Sequence, residues 1–301
     1  MSVELFGTKY PSPIFICPTG GNKFFHPDGE SAVAKAARTG DHLQILSTAA
    51  NDSVEDVMKA RGAPIWFQLY ASPQWEVAKA LIQRADAAGC PVLVVTTDRV
   101  GGRNQETLFR LMREDARECS TCHDRSSFAK RNARRHNYDG IDLSQITGSA
   151  ESSNLTWETV KRMRDITKMK IVLKGILTPE DAEFAVKNGM DGILVSNHGG
   201  RGEDSGRSTI DALPEIITAV NGRMPVIVDS GFRRGTDVVK ALAMGAQAVG
   251  IGRPYLWGLG AFGQEGVEKV LELVRRETRA AMQQCGVRSV KELDRSFVRR
   301  A

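Results

Sequence analysis

The chain holds 301 residues, 41% of them hydrophobic and 26% charged, enough for two average domains or for one α/β barrel of about 250 residues. Its formal net charge of +5 comes from basic residues spread along the chain, which excludes the footprint of a nucleic-acid-binding protein and suits an anionic small molecule. No run of about eighteen apolar residues occurs and Met1–Leu5 lacks the features of an export leader, so the expectation is a cytoplasmic chain without a membrane span; five scattered cysteines argue against a disulfide framework.

In chain order, Pro13–Cys17 is an apolar run that fits a buried strand, and Pro18-Thr19-Gly20-Gly21 is a loop whose backbone can approach a ligand. The alanine-rich segment Glu30–Arg38 reads as a helix stopped by Gly40. Strand Leu43–Ser47 follows, then helix Ser53–Arg61, capped by Asp52 or Ser53 and closed by Gly62. Strand Ile65–Tyr70 leads into helix Ser72–Ala88, with Pro73 expected at its first position, and Val92–Asp98 is the fourth strand. From Arg99 to Ser153 the rhythm fails, because the stretch is long, charged and short of apolar periodicity, as an active-site excursion or lid is.

Order returns with helix Thr156–Thr167, strand Lys170–Lys174 and helix Pro179–Lys187, capped by Thr178. Strand Gly192–Val195, helix Ile210–Val220, strand Val226–Asp229, helix Gly235–Met244, strand Ala248–Ile251 and helix Gly263–Gln284 complete the series. Eight alternating strand–helix pairs predict a TIM (β/α)8 barrel, one domain over residues 1–301 with 99–153 as an irregular insertion after the fourth strand. A doubly wound open sheet also accommodates eight strands. The polar residues decide for the barrel: Thr19, Ser47, Gln68, Thr96, Lys174, His198, Asp229 and Arg253 all fall at or just past strand C-termini, where a barrel brings them to one mouth.

At that mouth, Ser196-Asn197-His198-Gly199-Gly200-Arg201 places an imidazole and a guanidinium on a glycine-softened turn after the sixth strand. The loops after strands seven and eight, Asp229-Ser230-Gly231-Phe232-Arg233-Arg234-Gly235 and Gly252-Arg253-Pro254, combine glycine turns with arginine, a set suited to phosphate. Lys174 leaves the fifth strand where it can set a positive charge beside a ring that becomes negative on reduction, as a flavin does.

Together with Leu173-Lys174-Gly175-Ile176, these motifs resemble the FMN-dependent α-hydroxy acid oxidases and dehydrogenases, among them glycolate oxidase, lactate oxidase and mandelate dehydrogenase. The similarity runs from about Leu5 to the C-terminus and is weakest over 99–153. The resemblance implies FMN as cofactor and oxidation of an L-2-hydroxy acid to the 2-oxo acid. His198 would be the base, Asp98 its orienting carboxylate, Arg201 the substrate-carboxylate clamp and Tyr70 a substrate hydrogen-bonding group. Ser47, Gln68, Thr96 and Lys174 would hold the isoalloxazine, with Thr19 and Gly20 near its N5 and Ser196 also facing the cofactor. Asp229 would take the ribityl chain, and Gly231, Arg233, Gly252 and Arg253 the phosphate. No metal is implied, a tetramer is the family expectation, and the electron acceptor (oxygen, a quinone or a cytochrome) stays open.

Three departures stand out. The family has a longer segment before the first strand, bearing a tyrosine that reaches the site; here Tyr10 is not an assumed replacement, and the barrel's bottom is expected to be uncovered. The segment around Gly101-Gly102-Arg103-Asn104 aligns loosely, leaving Arg103 as candidate for a second substrate arginine, and Gly202-Glu203 replace the usual Gln-Leu. These departures keep a second reading open, a truncated homologue that binds flavin without turnover. Gly20, where oxidases of the family carry alanine, points toward a dehydrogenase or monooxygenase. Cys119-Ser120-Thr121-Cys122-His123 matches the c-type haem attachment pattern, but without an export leader the favoured reading is a plain loop or a redox-responsive thiol pair.

Overall fold

The structure, a computed structural model, describes residues 1–99, 106–116, 126–146, 155–202 and 205–299. It opens with a hairpin of β1 (Val3–Leu5) and β2 (Thr8–Tyr10), turned by Phe6 and Gly7, which both have positive φ. That is the backbone a two-residue hairpin turn demands. Eight strands then pair in parallel: β3 (Ile14–Ile16), β4 (Ile45–Ser47), β5 (Trp66–Leu69), β6 (Val92–Thr96), β7 (Lys170–Ile176), β8 (Gly192–Val195), β9 (Val226–Val228) and β10 (Val249–Ile251). β10 pairs with β3, and a bridge between Ile16 and Gln44 closes the ring against the approach to β4.

Helices α1 (Gly29–Thr39), α2 (Val54–Arg61) and α3 (Trp75–Ala87) follow β3, β4 and β5. Beyond β6 lie α4 (Glu106–Glu114), α5 (Phe128–Asn132) and α6 (Trp157–Asp165), and the remaining strands are followed by α7 (Pro179–Lys187), α8 (Thr209–Val220), α9 (Gly235–Ala243) and α10 (Arg253–Gln284). This is the expected TIM barrel. Ser53, not Asp52, caps α2 by accepting from the Asp56 N–H, and Thr178 caps α7 in the same way. Two helix starts differ from expectation by more than one residue. Pro73 precedes α3 instead of opening it, because Ser72 Oγ accepts from the Gln74 N–H and delays the first turn to Trp75. The closing helix begins at Arg253, ten residues before Gly263, with a break in its geometry at Phe262–Gly263.

The stretch expected to be an irregular lid has order in its described part. Beside α4 and α5 it holds a 3-10 turn, His136–Tyr138. Phe128 and Tyr138 are buried edge to face, and Asn137 accepts from the Val54 N–H while donating to the Ser47 carbonyl. Such tethers come from single side chains, which leave no periodic trace in the sequence.

Strand periodicity sorts the side chains into two sets. The outward set (for example Ile14, Leu46, Phe67, Val95, Leu173, Val195 and Val228) packs on the helices. The inward set forms a separate apolar core of Phe15, Ile45, Trp66, Val92, Val94, Val172, Leu194, Ile227 and Ala248. Leu5 and Tyr10 belong to that inner core and Phe6 packs on Trp66 at a ring separation of 5.5 Å, so the hairpin plugs the bottom that was expected to lie open. Tyr10 is thereby a core residue at the end opposite the mouth. Leu5→Ala should lower the unfolding free energy of the holoenzyme by about 2–4 kcal/mol in urea titration; a loss under about 0.5 kcal/mol would mean that the plug does not support the barrel.

Candidate active site

One step up each strand from the inner apolar core, the inward positions turn polar: Ser47, Gln68, Thr96, Lys174, Ser196 and Asp229, all buried. Buried polar groups need partners, and these supply one another. Ser47 Oγ donates to Gln68 Oε1 at 3.0 Å and Gln68 Nε2 donates to Thr96 Oγ1 at 2.8 Å. Asp229 accepts from Cys17 Sγ at 3.6 Å and from Ser230 Oγ at 2.8 Å. Ser196 Oγ accepts from the His198 N–H at 3.1 Å, so it shapes the turn that carries the imidazole.

That turn runs through a left-handed stretch, with φ of 58° at His198 and 75° at both Gly199 and Gly200. A non-glycine residue in this region is strained, and such strain is characteristic of functional sites. The turn brings His198 Nδ1 to 2.9 Å from Asp98 Oδ1, beyond the end of β6. Because a carboxylate only accepts, the proton is assigned to Nδ1 and the lone pair to Nε2. Tyr70 Oη lies 3.2 Å from Nε2. Lys174 Nζ is 3.6 Å from Asp98 Oδ2 and 3.4 Å from His198 Nδ1, and the three side chains are only 4%, 6% and 7% exposed for Lys174, Asp98 and His198. Gly175 makes this packing feasible: it has φ of 109°, and a Cβ there would lie 2.5 Å from Asp98 Cβ.

Burial and then the Lys174 charge push the His198 imidazole down from its ordinary 6.5 to about 4, against the raising pull of Asp98. Burial by itself would raise the Asp98 carboxyl, but Lys174 and the His198 hydrogen bond hold it below the usual carboxylate range. Lys174 is likewise disfavoured by burial, yet Asp98 and Asp229 keep its pKa raised. At neutral pH the cluster is therefore a carboxylate, an ammonium and a neutral imidazole with an available lone pair.

A cavity of about 340 Å³ opens beside this cluster, walled by Thr19, Gly20, Lys174, His198, Arg201 and Asp229 near the imidazole and by Gly231, Arg233, Gly252 and Arg253 farther along. Gly199 and Ser230, within the His198 and Asp229 motifs, also line it, as do Cys17, Phe25 and Leu256, which were not among the candidate site residues. Cys17 was legible, two residues on from inward-facing Phe15; Phe25 follows a short 3-10 segment, Asn22–Phe24, that leaves no periodic signal. Tyr70 and Asp98 stand behind His198, and Ser47, Gln68 and Thr96 form the neighbouring floor. Arg201 is exposed and its Nε donates to the His198 carbonyl. Arg103, the Cys119–His123 motif and Glu203 lie outside the described residues.

The residues fit FMN. Burial and then the Arg253 charge lower the Arg233 guanidinium pKa, so two cations crowd one end of the cavity. The N-termini of α9 and α10 begin beside them at Gly235 and Arg253. Like charges gathered at helix N-termini are stabilised by an anion such as phosphate. At the other end, the buried Lys174 ammonium suits the ring edge that gains negative charge on reduction. Among the described residues no group of three or more His, Cys, Asp or Glu could hold a metal ion, and no helix is long and apolar enough to cross a membrane.

Comparison with known proteins agrees with this geometry. The FMN-dependent dehydrogenase family matches residues 1–300. A peroxisomal (S)-2-hydroxy-acid oxidase of Oryza sativa subsp. japonica is 40% identical over 302 residues, covering 99% of this chain and 80% of that protein. 2-Hydroxyacid oxidase 2 of Homo sapiens is 41% identical over 295 residues, 97% of this chain and 80% of its own, and the L-lactate oxidase of Lysinibacillus sphaericus is 38% identical over 97% and 76%. A solved structure of mandelate oxidase with (S)-2-phenylpropionate superposes with a TM-score of 0.81 at 38% identity, covering 98% of this chain and 80% of that one. With barrel, cofactor cavity and sequence in agreement, the chain belongs to the FMN-dependent dehydrogenase family and is an FMN-dependent oxidoreductase similar to the 2-hydroxy acid oxidases.

Proposed function

We propose that the protein oxidises an L-2-hydroxy acid to the corresponding 2-oxo acid, with His198 as the base. The observation that carries this reading is the neutral imidazole: its Nδ1–H is spent on Asp98, its Nε2 lone pair faces Tyr70 Oη, and it borders the same cavity as Arg201 and Lys174. FMN, when bound, supplies the two-electron acceptor. The protein's own groups bind, orient and deprotonate.

Arg201, exposed at the cavity edge, is placed to take the substrate carboxylate as a bidentate pair, which fixes the reacting face. The substrate hydroxyl then shares Nε2 with Tyr70 Oη. Proton transfer to Nε2 makes imidazolium, which Asp98 stabilises through the Nδ1 hydrogen bond. Lys174 offsets negative charge that builds on the cofactor side, and it stays cationic because Asp98 and Asp229 flank it. Arg233, Arg253, Gly231 and Gly252 would hold the phosphate, Asp229 the ribityl chain, and Ser47, Gln68, Thr96, Thr19 and Gly20 the ring. The same proposal includes one barrel domain over residues 1–301 and a tetrameric assembly.

His198→Gln is expected to keep FMN bound while anaerobic flavin reduction by lactate, glycolate or mandelate slows by roughly 10³-fold. Near-normal bleaching in that variant sinks the assignment of the base.

The pH profile tests the electrostatics. His198 must be neutral to accept a proton, and its pKa is lowered to about 4. Acid therefore removes activity only when pH falls toward that value. We expect kcat/KM to hold between pH 7 and about 5 and to decline below, with the acid limb reporting the free enzyme. A limb near the ordinary 6.5 would show that Lys174 and burial do not depress the imidazole.

A further inference from the structure

We infer that Ser230 is a positioning residue for the base, its hydroxyl fixing the His198 turn to the Asp229 carboxylate; this rests on reading His198 as the base that oxidises 2-hydroxy acids. Ser230 follows β9 with φ of 76°, in the left-handed region that an L side chain enters only with strain. Phe6, Asp41 and Asn221 share that region in the hairpin turn and just past the ends of α1 and α8, where the chain reverses locally. Of the described non-glycine residues with positive φ, only His198 and Ser230 line the cofactor cavity. Glycine takes such a corner without strain, so what a serine adds here lies in its side chain. The Ser230 hydroxyl donates to Asp229 Oδ1 at 2.8 Å, a direction fixed because a carboxylate only accepts. Its lone pair accepts from the Gly199 N–H at 3.0 Å. One oxygen thus joins the cofactor-side carboxylate to the residue after the base.

Both ends of this link are held. On the Asp229 side, Cys17 Sγ donates to Oδ2, and Thr209 Oγ1 lies 2.6 Å from the Asp229 carbonyl and 3.2 Å from that of Ser230. The strained corner is therefore a fixed anchor. On the other side, bonds within the turn set its shape: Ser196 Oγ accepts from the His198 N–H and Asn197 Oδ1 from the Gly200 N–H. The turn's placement against the neighbouring loops comes from Gly199. Its N–H is held by Ser230 after β9, and its carbonyl accepts from Arg253 Nη2, after β10, at 2.7 Å. That placement decides whether Nδ1 stays 2.9 Å from Asp98 and Nε2 3.2 Å from Tyr70 Oη. Displacing a base by about 1 Å costs roughly 10²-fold in rate.

Two variants that lose the same bonds but differ in strain separate positioning from support of the fold. Ser230→Ala keeps the left-handed strain and Ser230→Gly relieves it, so the glycine variant should unfold at the higher urea concentration. Both holoenzymes should nonetheless be reduced by saturating lactate, glycolate or mandelate roughly tenfold or more slowly than the parent, with the FMN dissociation constant changed by less than about threefold. A rate loss that follows the unfolding midpoint, or parent-rate reduction in both variants, overturns the proposal. So does weakened FMN binding at the parent reduction rate, which makes Ser230 a cofactor ligand. Nitrogen NMR of the histidine side chains in the holoenzyme reads the base without turnover, the His198 signal being the one lost in His198→Gln. Asp98, Lys174, Tyr70 and Arg201 surround the imidazole and remain in both variants, so a change reports its position. The parent imidazole should titrate at about 4; in both variants the loosened turn admits water, and the titration should rise toward the ordinary 6.5. An unchanged His198 titration in both variants overturns the proposal, whichever acids react. If the titration moves while no acid reduces the parent's flavin, the 2-hydroxy acid reading falls and the Ser230 link stands.

Discussion

The mouth of this barrel is organised by a buried arrangement of charge, Asp98 between Lys174 and His198. Removing two ions and an imidazole from water costs several kcal/mol per ion unless each is paired, and here each partner comes from a different βα unit. Asp98 follows β6, Lys174 lies on β7 and His198 follows β8, so the cluster exists only when three adjacent strands are in register. The Thr96–Lys174 pairing and the shift of register between Lys174 and Ile176 set the relative heights of these groups. Lys174 has two effects at once: it keeps Asp98 ionised, and it helps keep His198 neutral. A carboxylate alone would have raised the imidazole.

The layering of the interior explains why the chemistry lies where it does. Each barrel strand contributes inward residues at every second position, and the lower positions are filled by a closed apolar core with the N-terminal hairpin beneath it. The polar positions occur only at the top, where Ser47, Gln68 and Thr96 satisfy one another and Cys17 and Ser230 serve Asp229. Hydrophobic burial thus supplies a rigid floor, and the inward-facing polar side chains of the strands gather at the mouth. The loops after β9 and β10 then add the Arg233 and Arg253 charges at the start of two helices, to the same cavity that Lys174 lines.

Much of this was legible in the residues. Strand Gly192–Val195 and helix Pro179–Lys187 appear with the bounds read from periodicity and caps, and the other barrel strands differ by one or two residues at an end. Cofactor-cavity residues such as Lys174, His198, Arg233 and Arg253 stand out because charged side chains rarely follow apolar runs without a reason. The hairpin plug was not legible, since Val3–Leu5 and Thr8–Tyr10 are three-residue strands with no periodicity to count. The same holds for Asn137, which ties the excursion to β4 and α2 by side-chain bonds to residues 90 and 83 positions distant in sequence.

By itself, then, the sequence determined the repeat of strand and helix and the face each strand turns inward, which follow from short-range periodicity, and it offered the imidazole, carboxylate, lysine and arginines as candidates through motifs that resemble a known family. Only the tertiary structure decided their protonation states and their division of labour. A pKa depends on which charge lies within a few ångströms, and the distances from Asp98 to His198 and Lys174 span 100 and 76 residues of chain.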